Sequence, residues 1–377
     1  MPASHERALE ALFRRGRLRE LEPSAGADFT SNDYLGLAES AELQRSVMAA
    51  IARGVPIGAG GSRLLRGNHT EHEALEAEAA RFFNAESALF FGGGFVANTA
   101  VFATLPARGD LIVHDELIHA SAHEGMRLSK AETVSVFHND ATAFDATIQT
   151  WRAAGGTGQV WIALESLYSM DGDQAPLTDL ADVAARHDGM LVIDEAHATG
   201  VFGPGGRGLG AALEGRPNII SLHTCGKALG VMGGLVLGPR IMREFLINRA
   251  RSFIYATAPS PLVAAAVRAA LEITATQGER RETLHKRVAV AGRLLHEKLG
   301  IAPSGSQIQP IIVGSDARAV TLANAMRARG FDVRAIRPPT VPEGTARLRI
   351  TLTLNTDDAT VAAMIDALAE EQARLTA

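Results

Sequence analysis

The chain has 377 residues, a formal net charge of −5 at pH 7, 46% hydrophobic residues and one cysteine, Cys225. That length supports two or three domains with a large core. The mild negative balance without a basic block argues against a nucleic-acid or charged-membrane partner, no apolar run is long enough to span a bilayer, and a single cysteine makes no internal disulfide, so a cytoplasmic location is expected.

In chain order, residues 4–21 read as an amphipathic helix, with Ala8, Leu9, Leu12 and Phe13 on one face and arginines elsewhere. The arginines would suit a transit peptide, but Glu6, Glu10 and Glu20 do not. Residues 53–67 hold five glycines around Ser62 and Arg63, which predicts a shaped loop. Thr70 and Glu73 have capping-box spacing, Thr70 at the N-cap, ahead of an amphipathic run over 75–83. Residues 87–91 form a short apolar strand that meets Gly92-Gly93-Gly94-Phe95 and then a helix. Glycines at that junction leave N–H groups free at the positive end of the helix dipole, where phosphate binds. No lysine follows them, so this is not a P-loop.

Short apolar runs at 111–114, 133–137, 159–165, 190–194, 219–224 and 234–237 then alternate with helices such as 120–128 and 177–186. Uniformly apolar strands with helices between them predict an α/β fold on a mostly parallel sheet covered on both faces. Ligands in such sheets sit at the carboxyl ends of the strands, which singles out His119, Ser169, Asp194, His197, Thr224 and Lys227. Each alone has an ordinary structural account. His119 and His123 lack a third ligand at metal spacing, so no metal site is expected. Asp194-Glu195-Ala196-His197 spells a helicase-type Walker B motif, but the only Gly-Lys pair, Gly226-Lys227, is followed by Ala228 and comes after it, which excludes a nucleotide triphosphatase.

Lys227 differs from the other three lysines. Lys130, Lys286 and Lys298 sit in polar or charged stretches, whereas Lys227 lies among Gly226, Ala228, Leu229 and Gly230. Desolvation there would lower the pKa of the amine and make it nucleophilic, as a Schiff-base lysine requires. Pyridoxal phosphate needs such a lysine, an acid beside its ring nitrogen and a phosphate cup. Lys227, Asp194 and the Gly93-Gly94-Phe95 turn supply one of each.

Beyond Gly278 the pattern changes to a charged helix over 279–299, strands over 308–313, 333–336 and 348–354, and a last helix over 357–375. This divides the chain into an N-terminal helix and arm (1–47), a large cofactor-binding domain (48–277) and a smaller α+β domain (278–377). Arg347 is expected to face solvent on the last strand.

Seven stretches run in one family's order: Ser31-Asn32-Asp33-Tyr34-Leu35-Gly36-Leu37, Gly60-Gly61-Ser62-Arg63, His119-Ala120-Ser121, Ser169-Met170-Asp171-Gly172-Asp173, Asp194-Glu195-Ala196-His197, Thr224 through Gly230, and Ile336-Arg337-Pro338-Pro339-Thr340-Val341-Pro342 leading to Arg349. In these the chain closely resembles the α-oxoamine synthases, fold-type I pyridoxal phosphate enzymes. The resemblance implies a large domain on a mostly parallel, seven-stranded sheet, a smaller C-terminal α+β domain, a homodimer and bound pyridoxal 5′-phosphate. It also implies roles. Lys227 would hold the cofactor and remove the α-proton of the amino acid, and Asp194 would pair with the ring nitrogen. His197 and Ser169 would bond the phenolic oxygen side, and His119 would stack on the ring. Gly94, Phe95 and Thr224 would hold the phosphate, with Thr257 reaching in from a second subunit. Arg349 would bind the substrate carboxylate, Asn32 would belong to the amino-acid pocket, and Arg19 would lie near the acyl-donor entrance.

Ser62 stands where a glycine-using member is expected to carry threonine, leaving room for the methyl of alanine. The stretch from Ile336 to Pro342 resembles the biotin-pathway branch. It implies decarboxylative condensation of L-alanine with pimeloyl-CoA or pimeloyl-acyl carrier protein. The alternatives are a member using glycine or serine with another acyl thioester, and a non-catalytic partner subunit, which would be expected to lack Lys227 or Asp194. Cys225 and Ala198 depart from the family pattern without touching a residue of chemical role.

Overall fold

Apolar runs of five or six residues, closed by glycine and polar turns, form the strands at the centre of the fold. The computed structural model describes residues 3–376; residues 1, 2 and 377, the outer ends of the first and last expected domains, lie outside the described residues. The chain divides into two units. The larger holds Leu35–Ser169 and Gln174–Arg281; the smaller holds the segment up to Tyr34, Met170–Asp173 and the chain from Glu282 onward.

The first strand, β1 (Ala27–Asp28), belongs to the smaller unit. The larger unit carries β2 (Ser87–Phe91), β3 (Leu111–Asp115), β4 (Glu132–Val136), β5 (Val160–Glu165), β6 (Met190–Asp194), β7 (Ile219–Thr224) and β8 (Gly234–Gly238). They form one sheet in the order β2-β8-β7-β6-β5-β3-β4. The run from β7 to β4 is parallel, and β8 is antiparallel to both β2 and β7. Successive side chains leave a strand on opposite faces. Leu111, Val113, Ile162, Leu164 and Ile193 accordingly enter one apolar core and Ile112, Trp161, Val192 and Leu222 another. Each such fully buried side chain contributes about 1.5–3 kcal/mol. At the edge, β4 exposes Glu132, Thr133 and Ser135, which keeps that strand from pairing with another chain.

Two expected helix starts and stops shift. The first helix spans Ala3–Arg14 and does not continue to residue 21. Gly16 adopts φ +64°, its N–H bonds the Phe13 carbonyl and the Arg17 N–H bonds that of Leu12, so a Schellman turn ends the helix. The helix Thr70–Phe82 is capped by His69 in place of Thr70. The His69 imidazole accepts from the Glu71 N–H at 3.1 Å, and His72 Nδ1 accepts from the His69 N–H at 3.2 Å. Two histidines thus form the box one residue earlier than the Thr-Glu spacing suggests.

In the smaller unit β9 (Ile308–Gly314), β10 (Phe331–Asp332), β11 (Ala335–Ile336) and β12 (Ala346–Thr351) follow. An antiparallel sheet runs β11-β12-β9, while β10 pairs in parallel with β1. The strand expected over 333–336 is therefore broken, with Arg334 Nε bonding Asp332 Oδ1 at 2.7 Å at the break. The arm joins this unit through the Thr351 N–H to Phe29 carbonyl bond, 2.9 Å. Among the described residues no helix is long and apolar enough to cross a membrane.

Candidate active site

At the carboxyl ends of β5, β6 and β7 the larger unit holds a cavity of about 150 Å³, lined among others by Phe95, Asn98, His119, Glu165, Asp194 and Lys227. Lys227 stands in the turn that leaves β7. Gly230 closes that turn at φ +64°, where a Cβ would fall 2.4 Å from the Ala38 nitrogen, so only glycine fits. Lys227 is half-buried, and its Nζ lies 2.7 Å from His197 Nε2.

Asp194 ends β6 and is buried. Asn98 Nδ2 donates to its Oδ2 at 2.6 Å and the Ala196 N–H to its Oδ1 at 2.9 Å. His119 caps the helix Ala120–Leu128. Its Nδ1 accepts the Ser121 N–H at 3.2 Å and lies 2.7 Å from Ser121 Oγ, which places the ring proton on Nε2. Burial lowers the His119 pKa, Asp194 opposing and Lys227 adding to the effect, so the ring is neutral near pH 7. Phe95 meets it edge to face, centroids 6.4 Å apart.

The helix Gly94–Thr104 starts behind Gly93, which offers no side-chain cap to its first N–H groups. A Cβ on Gly94 would lie 3.2 Å from Thr224 Oγ1. Bare glycine backbone at a helix N-terminus with a hydroxyl against it is a phosphate cradle. The cradle, a lysine amine and a hydrogen-bonded acid in one cavity fit pyridoxal phosphate.

Ser169 follows β5, and its N–H donates to Glu165 Oε2 at 3.2 Å. Ser62 and Thr257 do not line the cavity. The Ser62 carbonyl accepts the Leu65 and Gly67 N–H groups within the glycine loop, while Thr257 is exposed beside Ala258, whose N–H bonds the Gly61 carbonyl at 2.8 Å. In the smaller unit Arg349 is buried and donates to Asn32 Oδ1 at 3.1 Å and Thr351 Oγ1 at 2.9 Å. Arg19 donates to Thr340 Oγ1 at 3.3 Å. Arg347 is 4% exposed, against the expectation of a solvent-facing residue. Residues two apart share a strand face, so Arg347 lies on the same side as Arg349, and it pairs with Asp171 at 2.5 Å.

Four residues of the site escaped sequence reasoning. Asn98 could have been found one turn after Gly94 on the same helix, and Glu165 as the acid closing an apolar strand. Ser121 carries no signal beyond its place after His119. His223 lies inside β7 with Thr199 and Ser221 as partners, at 2.8 Å and 3.0 Å.

Fold and site together define a fold-type I pyridoxal phosphate enzyme. The profile of the family described as aminotransferase class I and II matches residues 25–368, and the chain belongs to that family, in its α-oxoamine synthase branch. The chain is similar to the 8-amino-7-oxononanoate synthase of Chromobacterium violaceum, 43% identical over 90% of this chain and 87% of the relative. The synthase of that name from Anaeromyxobacter dehalogenans is 41% identical over 96% and 93%. Among solved structures, Sphingomonas wittichii serine palmitoyltransferase superposes with a TM-score of 0.88 at 28% identity over 98% of this chain and 96% of that one. The Francisella tularensis 8-amino-7-oxononanoate synthase superposes with 0.77 at 26% over 93% and 99%.

Proposed function

We propose that this enzyme condenses L-alanine with a pimeloyl thioester: the alanine α-carbon bonds to the thioester carbonyl, the thiol leaves, the carboxyl departs as carbon dioxide, and 8-amino-7-oxononanoate is released. The observation that carries this choice of reaction is the 41–43% identity, along nine-tenths of the chain or more, to enzymes of that name. The higher TM-score of serine palmitoyltransferase accompanies only 28% identity, and a shared backbone does not specify a substrate. The presence of both Lys227 and Asp194 disfavours a non-catalytic subunit.

When bound, pyridoxal phosphate supplies the electron sink for negative charge at the α-carbon. Lys227 would anchor it through Nζ and would take the α-proton of the amino acid, with His197, 2.7 Å from the amine, orienting it. Asp194 pairs with the ring nitrogen while Asn98 and the Ala196 N–H fix its two oxygens. His119, a neutral imidazole lining the cavity, would cover the ring face without adding a second positive charge. Thr224 and the N–H groups at Gly94 and Phe95 bind the phosphate, and Ser169 joins His197 at the phenolic oxygen. Arg349, with Asn32, binds the amino-acid carboxylate, Arg19 stands at the acyl-donor entrance, and Ser62 leaves space for the alanine methyl. In a cytoplasmic homodimer Thr257 completes the phosphate site of the second copy.

Thiol release measured with alanine, glycine and serine in turn, and with pimeloyl-CoA or pimeloyl-acyl carrier protein as donor, tests the reading. Alanine is expected to support turnover well above the other two, and Lys227→Ala to lower it by a thousandfold or more, on the order of the loss of nucleophile and base together. Faster release with glycine or serine would leave the family in place and overturn the reaction.

A further inference from the structure

The carboxyl ends of β3, β5 and β6 carry three buried acids, Asp115, Glu165 and Asp194, each 6% exposed or less; Asp115, one residue past the His114–Ala163 pair, leaves the opposite face of the sheet from Glu165. Parallel pairing sets Glu165 directly beside Asp194, on the same side of the sheet. The donors supplied to them are unequal. Asp115 receives His138 Nδ1 at 3.0 and 3.1 Å, and the N–H groups of Leu117 and Asn139, both at 2.8 Å. Asp194 receives Asn98 and the Ala196 N–H. Glu165 receives the Ser169 N–H on Oε2, and its Oε1 is buried with no hydrogen-bond partner among the described residues.

Neighbouring buried carboxylates do not all ionise, and a proton settles on the one whose anion has fewest donors. Burial, then Asp194, raise the Glu165 carboxyl well above its usual range; Asp115 adds to this, and Lys227 and the Ser169 N–H oppose it. The other titratable groups around these acids include His119, held neutral by burial, His138, engaged with Asp115, and Glu195, which burial pushes up to about 7 but which receives three donors, Ser166 Oγ and the Leu209 and Gly210 N–H groups, against one for Glu165. We propose that Glu165 is a positioning residue of the cofactor site and stays a neutral carboxylic acid in the working enzyme, so that Asp194 alone presents a negative charge to the ring nitrogen. An ionised Glu165 would set a second charge in the cavity and compete for the ring. The inference rests on the cofactor reading and not on the choice of amino acid or acyl donor, and its readouts need no substrate.

The test is infrared spectroscopy of the holoenzyme, wild type minus Glu165→Gln, joined to titration with pyridoxal phosphate. At neutral pH the difference should show the C=O stretch of a protonated carboxyl; carboxylate bands in its place would overturn the proposal. Glu165→Gln, a neutral isostere, should keep cofactor affinity within about threefold and Glu165→Ala should lose about tenfold or more. Equal losses in the two variants would also overturn it. Should Glu165→Gln not fold, Asp115→Asn serves instead. Removing that charge should move the loss of the protonated-carboxyl band on raising the pH to a lower pH than in wild type, and an unmoved transition would overturn the proposal. A protein that binds no pyridoxal phosphate would fail the cofactor reading itself, whatever the infrared result.

Discussion

His223 lies one residue before Thr224 in β7, and its chemistry is set by burial alone. Its ring packs on Phe83 with centroids 3.9 Å apart, and desolvation pushes its pKa down to about 3. An unfolded chain would bind a proton there near pH 6.5, which the native chain refuses until about pH 3. The stability contributed by the neutral ring is therefore present above pH 6.5 and lost as the pH falls toward 3, by about 2 kcal/mol at around pH 5. His223→Gln keeps a hydrogen-bonding side chain and removes the titration. Its urea midpoint should be lower than wild type at about pH 7.5, with the gap narrowing by about pH 5. Parallel falls in the two proteins would remove His223 from the acid response. At this scale the sequence was informative where a residue type was unusual in its setting, as with Lys227 among glycines and apolar residues. It was silent on His223, because a histidine inside an apolar run looks the same whether it packs or reacts.

The helix Gly94–Thr104 shows how an element prepares a site. With glycine at its N-cap and first position, its leading N–H groups are unshielded, and Thr224 approaches from the end of β7. A methyl on Gly94 would sit 3.2 Å from Thr224 Oγ1 and 3.3 Å from its Cβ, tight enough that one of them must move. Gly94→Ala is expected to weaken pyridoxal phosphate binding on the order of tenfold, about 1.4 kcal/mol, while the far-ultraviolet dichroism stays unchanged. Titration followed by the visible absorbance of the bound cofactor reads this directly; unchanged affinity would move the phosphate elsewhere. The strand, glycine turn and helix that would cup a phosphate were legible in that order, since each is set by local sequence. The two-histidine cap at His69 and His72 was not, because the usual capping signal, Thr70 with Glu73, sits one residue away and fits as well on paper.

For the molecule as a whole, a cofactor held by the native state and not by the unfolded chain adds stability by mass action. At a free concentration a hundredfold above its dissociation constant, pyridoxal phosphate should add about 2.7 kcal/mol. Calorimetric unfolding should move to higher temperature as the cofactor is raised and fall back when it is removed; a midpoint independent of concentration would mean that binding is not coupled to folding. By itself the sequence determined the α/β class, the strands of the main sheet to within a residue or two, and the order of Asp194, His197, Thr224 and Lys227 along strand ends. Those properties follow from local apolar runs and turn chemistry. Only the tertiary structure decided that the arm up to Tyr34 belongs with the chain beyond Glu282, that β8 runs against its neighbours, that Arg347 is buried against Asp171, and that Glu165 stands beside Asp194. Each of these depends on the register and direction in which distant segments pair, and hydrophobic periodicity carries no information about the partner.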